Sequence, residues 1–496
     1  MSHGCRQTLR KDWSDVLLVD MSLTDLLRQQ AKNNPEGTYI RGYFGDVSYG
    51  KVLRLARDLS QFLALTCRIA SRGSVGICTE SPEYIIYTLW AAIFADISLV
   101  FLPVCRDPAV MLSAMKEASV EVLLTDEPVL LRESWCLDLE DILWRDLSGH
   151  SQPEATARAC TTIPSKSEAG VIFQTSGTAG EPKWVQCEYW KLSTVINCML
   201  QNGTLDHARG QSVFLTPPLY HSYGLCAFLE YTAVGGRIIF PQGTSPLGPV
   251  GDLRDPWLRD NVTAIEGVPY FYSQLSKLVN RFILPALTHL GLGGGRLDRT
   301  AFDRLRKVYP DVTVSVRYGL TETPSVVSHK VIQSCSSEGW NSSGSVLPVY
   351  NVEVVDESGQ TLASNQEGEI IVSGGCVGNY LGQSSDRLLT GDSGYITESN
   401  ELVVTGRKSL YIKNRGFRVS PERIESIIAS FDGVQDCRVR MLDSKLIAEV
   451  VHDDSVSQGD MLAFMSTRLP SYAIVDELVR VESVPRTPSG KIKRYH

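Results

Sequence analysis

The stretch Val171-Ile172-Phe173-Gln174-Thr175-Ser176-Gly177-Thr178-Ala179-Gly180-Glu181-Pro182-Lys183 decides how the chain is read. Its three apolar residues read as the end of a buried strand, after which small hydroxyls and glycines take over. Gly177 and Gly180 allow the tight turns that bring backbone N–H groups close to an anion. Thr175, Ser176 and Thr178 add hydroxyl donors and Lys183 adds a positive charge, which is the chemistry of a phosphate cradle. It is not a Walker A loop: counting from Gly177, Pro182 stands where the glycine before the lysine belongs. An ordinary polar turn shares this composition, so the reading depends on what the rest of the chain supplies.

On the N-terminal side, helix-like and strand-like segments alternate. Leu23 to Asn33 and Gly50 to Leu65 carry helical periodicity, whereas Gly73 to Cys78 and Val120 to Leu124 read as strands. Such alternation predicts α/β layers around a largely parallel sheet. Tyr84 to Val104 is apolar over about the length of a membrane-spanning helix. Asp96 interrupts it, however, and Ile97 to Leu102 reads as a strand, so a buried helix followed by a buried strand is expected. Leu147 to Ser167, rich in Ser, Pro, Ala and Thr, reads as a loop leading into the cradle.

Length and composition narrow the class. A chain of 496 residues with 43% hydrophobic and 21% charged residues fits a globular protein of several domains. Its 48 Lys and Arg against 56 Asp and Glu give a net charge of −8, which carries no nucleic-acid footprint. The 12 cysteines are scattered without a CxxC pair, unlike a zinc site or a disulfide framework. Buried thiols point to a reducing cytoplasm, and Met1 to Lys11 lacks the apolar core of a signal peptide. The expectation is a cytoplasmic protein with neither a nucleic-acid nor a membrane partner.

On the C-terminal side, four segments bear on the cradle. Pro217-Pro218-Leu219-Tyr220-His221-Ser222-Tyr223-Gly224-Leu225 suggests a pocket wall, although a lone histidine is more often structural than catalytic. In Leu290-Gly291-Leu292-Gly293-Gly294-Gly295-Arg296-Leu297 the arginine replaces the third glycine of a dinucleotide fingerprint. The glycines still imply close approach of another element or a flat ligand. Val312 to Val316 reads as a strand running into Arg317-Tyr318-Gly319-Leu320-Thr321-Glu322-Thr323, at the end where α/β sheets place ligands. Leu389-Thr390-Gly391-Asp392-Ser393-Gly394-Tyr395 brackets an Asp suited to vicinal hydroxyls, and Thr405-Gly406-Arg407-Lys408-Ser409 offers an Arg for phosphate or ribose. Taken singly, each of these last two reads better as a hairpin turn.

From Leu410 the texture changes. Ser420-Pro421-Glu422 has the form of a helix start, with cap, proline and first-turn acid. Two strands (Cys437 to Met441 and Leu446 to Val451) and a helix near Met461 to Arg468 complete a small α+β unit. The closing Val484-Pro485-Arg486-Thr487-Pro488-Ser489-Gly490-Lys491-Ile492-Lys493-Arg494 places Lys491 after a Ser-Gly turn.

Together these segments resemble the adenylate-forming superfamily of acyl-CoA synthetases, peptide-synthetase adenylation domains and luciferases, over nearly the whole chain. The specific parts are TSGTAGEPK, YGLTE, TGDSG, GRKSLYIKNRGFRVSPERIE and PRTPSGKIKR, in that order. The resemblance implies an α/β fold: a large N-terminal AMP-binding domain at 1–406, a hinge at 407–409, and a small mobile α+β domain at 410–496. It also implies two steps, in which a carboxylate attacks the α-phosphate of ATP and a thiol then displaces AMP. By position, Thr175, Ser176, Gly177, Thr178, Ala179, Gly180 and Lys183 would hold the β- and γ-phosphates. Gly293, Gly294, Gly295, Tyr318 and Gly319 would flank the adenine, and Asp392 would bind the ribose with Arg407 nearby. Thr321 would contact the α-phosphate, Glu322 would hold Mg²⁺, and Lys491 would bridge the carboxylate and the α-phosphate. His221, with Tyr220, Tyr223 and Gly224, would form the acyl pocket, and Arg415, Gly416 and Phe417 would serve the thiol side.

Three positions depart from the family pattern. Trp184 replaces the glycine after the cradle lysine, Arg296 replaces a proline, and Ser409 stands where the hinge usually carries Asp or Lys. The first two are expected to reshape the edges of the pocket. Peptide-synthetase domains for α-amino acids carry an Asp in the motif matching Pro217 to Gly224. This chain has Pro-Leu-Tyr-His there, as aryl- and acyl-CoA ligases do, so an aromatic or medium-chain acid without an α-amino group is expected. CoA is the expected co-substrate. The alternative acceptors are a free-standing carrier protein or an amine, and five residues after Lys491 leave no room for a fused carrier. A catalytically silent nucleotide-binding relative is the reading from outside this class, against which Glu322, Asp392, Arg407 and Lys491 all stand.

Overall fold

The computed structural model of the protein describes residues 21–102, 107–146, 168–175, 183–242, 248–279, 283–297, 299–324, 326–333, 340, 342–408, 412–414, 417–442, 445–469, 473–486 and 492–493. Two sheets organise it as far as residue 407. The first has seven strands, with Ser98–Phe101 and Gly170–Thr175 paired in parallel near its middle. Lys183–Glu188 returns antiparallel along Gly170–Thr175, and the short strand Asn379–Tyr380 covers its outer edge. The second sheet has thirteen strands. Thr313–Tyr318, His289–Leu292, Ala264–Gly267 and Ser212–Leu215 are neighbours in parallel. Beyond Thr313–Tyr318 the pairing turns antiparallel, through Ser328–Ile332 and Gly344–Val346 to Glu401–Arg407 and Arg387–Ile396.

The helix Pro82–Ala95 shows why the apolar run does not need a bilayer. Ser81 accepts the Tyr84 N–H at its start, Pro82 opens the first turn, and Asp96 ends it in a left-handed conformation at φ 55°. Its residues from Pro82 to Phe94 are buried, because the helix lies inside the largest apolar cluster and not on its surface. Each large side chain buried in this way contributes about 1.5–3 kcal/mol. Among the described residues, no helix is long and apolar enough to cross a membrane.

The last part has its own apolar cluster, drawn only from residues between Ile412 and Leu478. Ser420 accepts the Arg423 N–H to start the helix Pro421–Ala429, as the cap pattern predicts. The strands Val434–Leu442 and Lys445–His452 form a hairpin, and Glu477–Arg480, which the sequence reading misses, adds a parallel third strand.

One expectation is overturned. Leu389 to Tyr395 is not a hairpin turn: it lies inside the ten-residue strand Arg387–Ile396, and Thr405 to Arg407 closes the neighbouring strand. The expected loop Leu147 to Ser167 lies outside the described residues.

Candidate active site

Four strand ends converge on one region. Thr175 and Lys183 stand opposite each other at the end of their hairpin, and the Thr175 hydroxyl donates to the Lys183 carbonyl at 3.2 Å. The cradle residues Ser176, Gly177, Thr178, Ala179 and Gly180 lie outside the described residues, as do Ser409, Arg415, Gly416 and Lys491. Phe417 opens the strand Phe417–Val419.

Thr313–Tyr318 delivers Tyr318, Thr321 and Glu322. The Tyr318 hydroxyl donates to Asp392 Oδ2 at 2.8 Å, and Arg407 Nε donates to Asp392 Oδ1 at 2.9 Å. Burial holds the Asp392 carboxyl above its ordinary range, against the pull of Arg407 and Tyr318. The Thr321 and Ser222 hydroxyls are 3.3 Å apart, which brings the start of the helix Ser222–Ala233 to the same place. Glu322 Oε1 accepts the Tyr380 hydroxyl at 2.8 Å, and the Lys183 ammonium lies 5.1 Å from the centre of the Tyr380 ring. Sequence reasoning missed Tyr380, because a lone tyrosine between Asn379 and Leu381 matches no motif.

Of the expected acyl-pocket residues, His221 is exposed and its ring lies 4.8 Å from that of Tyr220. Burial raises the Tyr220 phenol to about 12. A side chain at Gly224 would strike the Pro218 carbonyl at 2.2 Å, so only glycine lets the helix start so close. Tyr223 is turned into the core, where its hydroxyl donates to Glu266 Oε2 at 2.7 Å. Its ring is the close neighbour that the glycine cluster accommodates: a Cβ at Gly293 would lie 2.9 Å from Tyr223 Cζ. Gly294, at φ +76°, and Gly295 are exposed on the other side.

Behind this wall sits a buried ion cluster that sequence reading did not anticipate. Arg317 donates to Glu230 at 2.7 Å and to Glu266 at 3.4 Å, with all three side chains almost fully buried. Burial raises the Glu230 carboxyl, and Arg317 only partly offsets it. Trp184 is not at a pocket edge: it is 7% exposed, packs with Met111, Met115 and Ile172, and its indole donates to Glu117 at 3.3 Å. Arg296 lies over the Trp340 ring at 5.0 Å.

Comparison with known proteins places the chain in a family. The chain aligns with gramicidin S synthase 2 of Brevibacillus brevis at 22% identity over 96% of its own length, but spans only 11% of that protein. It is 24% identical to 2-succinylbenzoate–CoA ligase of Bacillus subtilis (strain 168), covering 94% of this chain and 96% of that one. In fold it is similar to O-succinylbenzoate coenzyme A synthetase from Bacillus subtilis, solved in complex with ATP and magnesium ion. That likeness has a TM-score of 0.76 at 22% identity, over 94% of this chain and 98% of the other. The family described as AMP-binding enzyme matches residues 27–380, so the chain belongs to the AMP-binding enzymes.

Proposed function

We propose that this protein is an AMP-forming acid–thiol ligase. It joins a carboxylic acid to the α-phosphate of ATP with release of pyrophosphate. A thiol sulfur then attacks the acyl carbon, AMP leaves, and the thiol proton is given up. CoA is the thiol in this reading, and the acid is aromatic or of medium length without an α-amino group. The observation that carries the proposal is the gathering of Tyr318, Asp392 and Arg407 with Glu322, Tyr380 and Lys183 in one region. Two anions must meet for the acid to react, and fixed cations and hydroxyls where charge develops supply much of the catalysis.

Each residue has a role in this proposal. Lys183 and the cradle from Thr175 take the β- and γ-phosphates, and Thr321 takes the α-phosphate. Asp392, with Arg407, takes the ribose, while Gly293 to Gly295, Tyr318 and Gly319 line the adenine. His221 and Tyr220 face the acid, Lys491 bridges it to the α-phosphate, and Arg415 to Phe417 serve the thiol. Glu322 offers a single carboxylate, a donor set that suits Mg²⁺ completed by phosphate oxygens and water. Such an ion, when bound, neutralises phosphate charge.

We further infer that residues 1–406 and 410–496 form two units joined by a hinge at 407–409, a division supported by the separate apolar cluster between Ile412 and Leu478. A cytoplasmic setting belongs to the same proposal and is supported by the free thiols Cys67, Cys136, Cys187 and Cys198.

The test is ATP–pyrophosphate exchange over a panel of acids and their α-amino counterparts, followed by AMP release with CoA, pantetheine, carrier protein and amines. Exchange with an aromatic or medium-length acid and release with CoA are expected. Preference for the amino acid over its deaminated analogue would overturn the acid class. Release only with a carrier protein or an amine would overturn the acceptor.

A further inference from the structure

The short segment 377–381 is tied to its surroundings at several points. The Val377 carbonyl accepts the buried Lys191 ammonium at 2.8 Å, and the Gly378 N–H donates to the Glu322 carbonyl at 2.6 Å. The Asn379 amide donates to Glu188 Oε1 at 3.2 Å, and the Leu381 N–H donates to the Trp184 carbonyl at 3.0 Å. Asn379 and Tyr380 pair with Gln186 and Val185 on the strand that begins at Lys183. The backbone on both sides of Tyr380 is therefore fixed, and so is the direction of its side chain.

That side chain presents two different chemistries to two different groups. Its hydroxyl donates to Glu322 Oε1 at 2.8 Å, and its π-face lies under the Lys183 ammonium, 5.1 Å from the ring centre. A phenol donor fixes one carboxylate oxygen and leaves the other free. A ring face draws an ammonium towards it without consuming any of its three donors. Without such a partner, Lys183 is an exposed flexible side chain that loses conformational freedom when it takes a ligand.

We propose that Tyr380 is a positioning residue that sets the two phosphate-directed groups by separate means: Lys183 through its ring and the Glu322 carboxylate through its hydroxyl. This rests on the reading that the chain binds ATP with Mg²⁺. The ring holds Lys183 before the nucleotide arrives, so its effect is felt with or without metal. The hydroxyl acts only through Glu322, so its effect is felt only when a divalent ion is present.

The experiment is calorimetric titration of ATP into the full chain, in EDTA and across a Mg²⁺ series, with Tyr380→Phe, Tyr380→Leu and Glu322→Gln. Tyr380→Phe should bind ATP like the wild type in EDTA but need about tenfold more Mg²⁺ to reach half its metal-dependent gain, as expected for a lost hydrogen bond to a charged group. Tyr380→Leu should show that defect and a further loss of about threefold in EDTA, the scale of an exposed cation–π contact. Adding Tyr380→Phe to Glu322→Gln should change the Mg²⁺ series no further, because residues acting through one group are not additive. Equal Mg²⁺ midpoints for wild type and Tyr380→Phe overturn the role of the hydroxyl. Equal EDTA affinities for the Phe and Leu variants overturn that of the ring. If the Leu variant does not fold, Tyr380→Trp replaces it: it keeps a π-face and loses the phenol, and must then match Tyr380→Phe in EDTA. A wild-type chain that binds no ATP would sink the nucleotide reading itself, whereas normal wild-type binding with unaffected variants sinks the positioning role alone.

Discussion

Asp392 and Arg407 face each other directly across two neighbouring antiparallel strands, and the Arg407 Nε–H bonds Asp392 Oδ1 at 2.9 Å. The other carboxylate oxygen takes the Tyr318 hydroxyl. An acceptor held from both sides is oriented before any ligand comes. If it receives ribose hydroxyls, Asp392→Asn should weaken ATP binding by about 10–100-fold, the scale of hydrogen bonds to a charged group. The loss should be much smaller for 2′,3′-dideoxy-ATP. Burial holds this carboxyl above its ordinary range, so binding should fall away with decreasing pH from a point above about pH 4, as the carboxylate takes up its proton. The variant should lack that acidic limb. Titration of both nucleotides across pH checks this, and equal losses for the two would rule out ribose recognition.

The Arg317 cluster tests stability apart from catalysis. Removing the guanidinium leaves Glu230 and Glu266 buried without their cation, which costs about 3–5 kcal/mol in comparable sites. Arg317→Met should lower the urea midpoint accordingly. Glu230→Gln should cost less, because Glu266 still pairs with Arg317 and also accepts Tyr223 and Tyr231. A loss for Arg317→Met no larger than that for Glu230→Gln would mean the cluster is not held together by its charges.

How far the sequence foretold this arrangement depends on the range of each signal. Ser420 and Pro421 start a helix through bonds to residues three positions away, and that pattern was legible. The helix and strand after Tyr84 were legible for the same reason, because burial and length act locally. Taken singly, the segment around Asp392 reads as a turn because Gly391, at φ +69°, and Gly394 look like turn residues, whereas its strand is paired on both sides. Tyr223 was expected in a pocket wall, but its partner Glu266 lies 43 residues on, and no local pattern says which way a ring will turn. Tyr380 was invisible because its meaning comes from Lys183 and Glu322, both remote in the chain.

Three histidines give the fold a sensitivity to acid. The His207 ring stacks on His289 at 4.1 Å and lies 5.7 Å from that of His329. Burial, reinforced by the nearby Arg317, keeps His289 and His329 well below the ordinary histidine range. Their folded pKa values lie below the unfolded one, so the unfolded chain binds more protons in this window. Stability is therefore fully present above about pH 6.5 and is lost as pH falls below it, by about 1.4 kcal/mol per pH unit for each ring kept neutral. Urea midpoints at pH 7.5 and 5.5 measure this. His289→Gln should flatten the dependence, and an unchanged slope would refute the assignment.

The contacts of the C-terminal part lead to a division between the two half-reactions. Lys277, on the helix Pro269–Leu278, donates to the Gln435 carbonyl at 2.8 Å, and Arg486 lies over the Tyr270 ring at 4.1 Å while pairing with Asp436 at 2.6 Å. Arg486 also bridges to Ile492, and Arg438 holds the Lys493 carbonyl at 2.8 Å, so Ile492 and Lys493, which follow Lys491 in the sequence, are anchored beside this helix. The same helix starts where Pro269 approaches Gly295. Under the proposed two-step reading, this arrangement belongs to the joining of acid to nucleotide, and a hinge rotation is expected to serve the thiol step. Lys491→Ala should slow adenylate formation by about 10²–10³-fold, like the loss of one charge-stabilising donor. Tyr270→Ala should slow it more mildly by loosening the docked state. Both should still convert a presynthesised adenylate to thioester, since that step does not join two anions. A bulky replacement at Gly416 should do the reverse, with near-normal pyrophosphate exchange and poor thioester formation. Assaying the three variants in both half-reactions decides the matter: equal loss in the two steps would mean that rotation about Arg407 to Ser409 does not divide the labour, and the unusual Ser409 would then be the first residue to exchange.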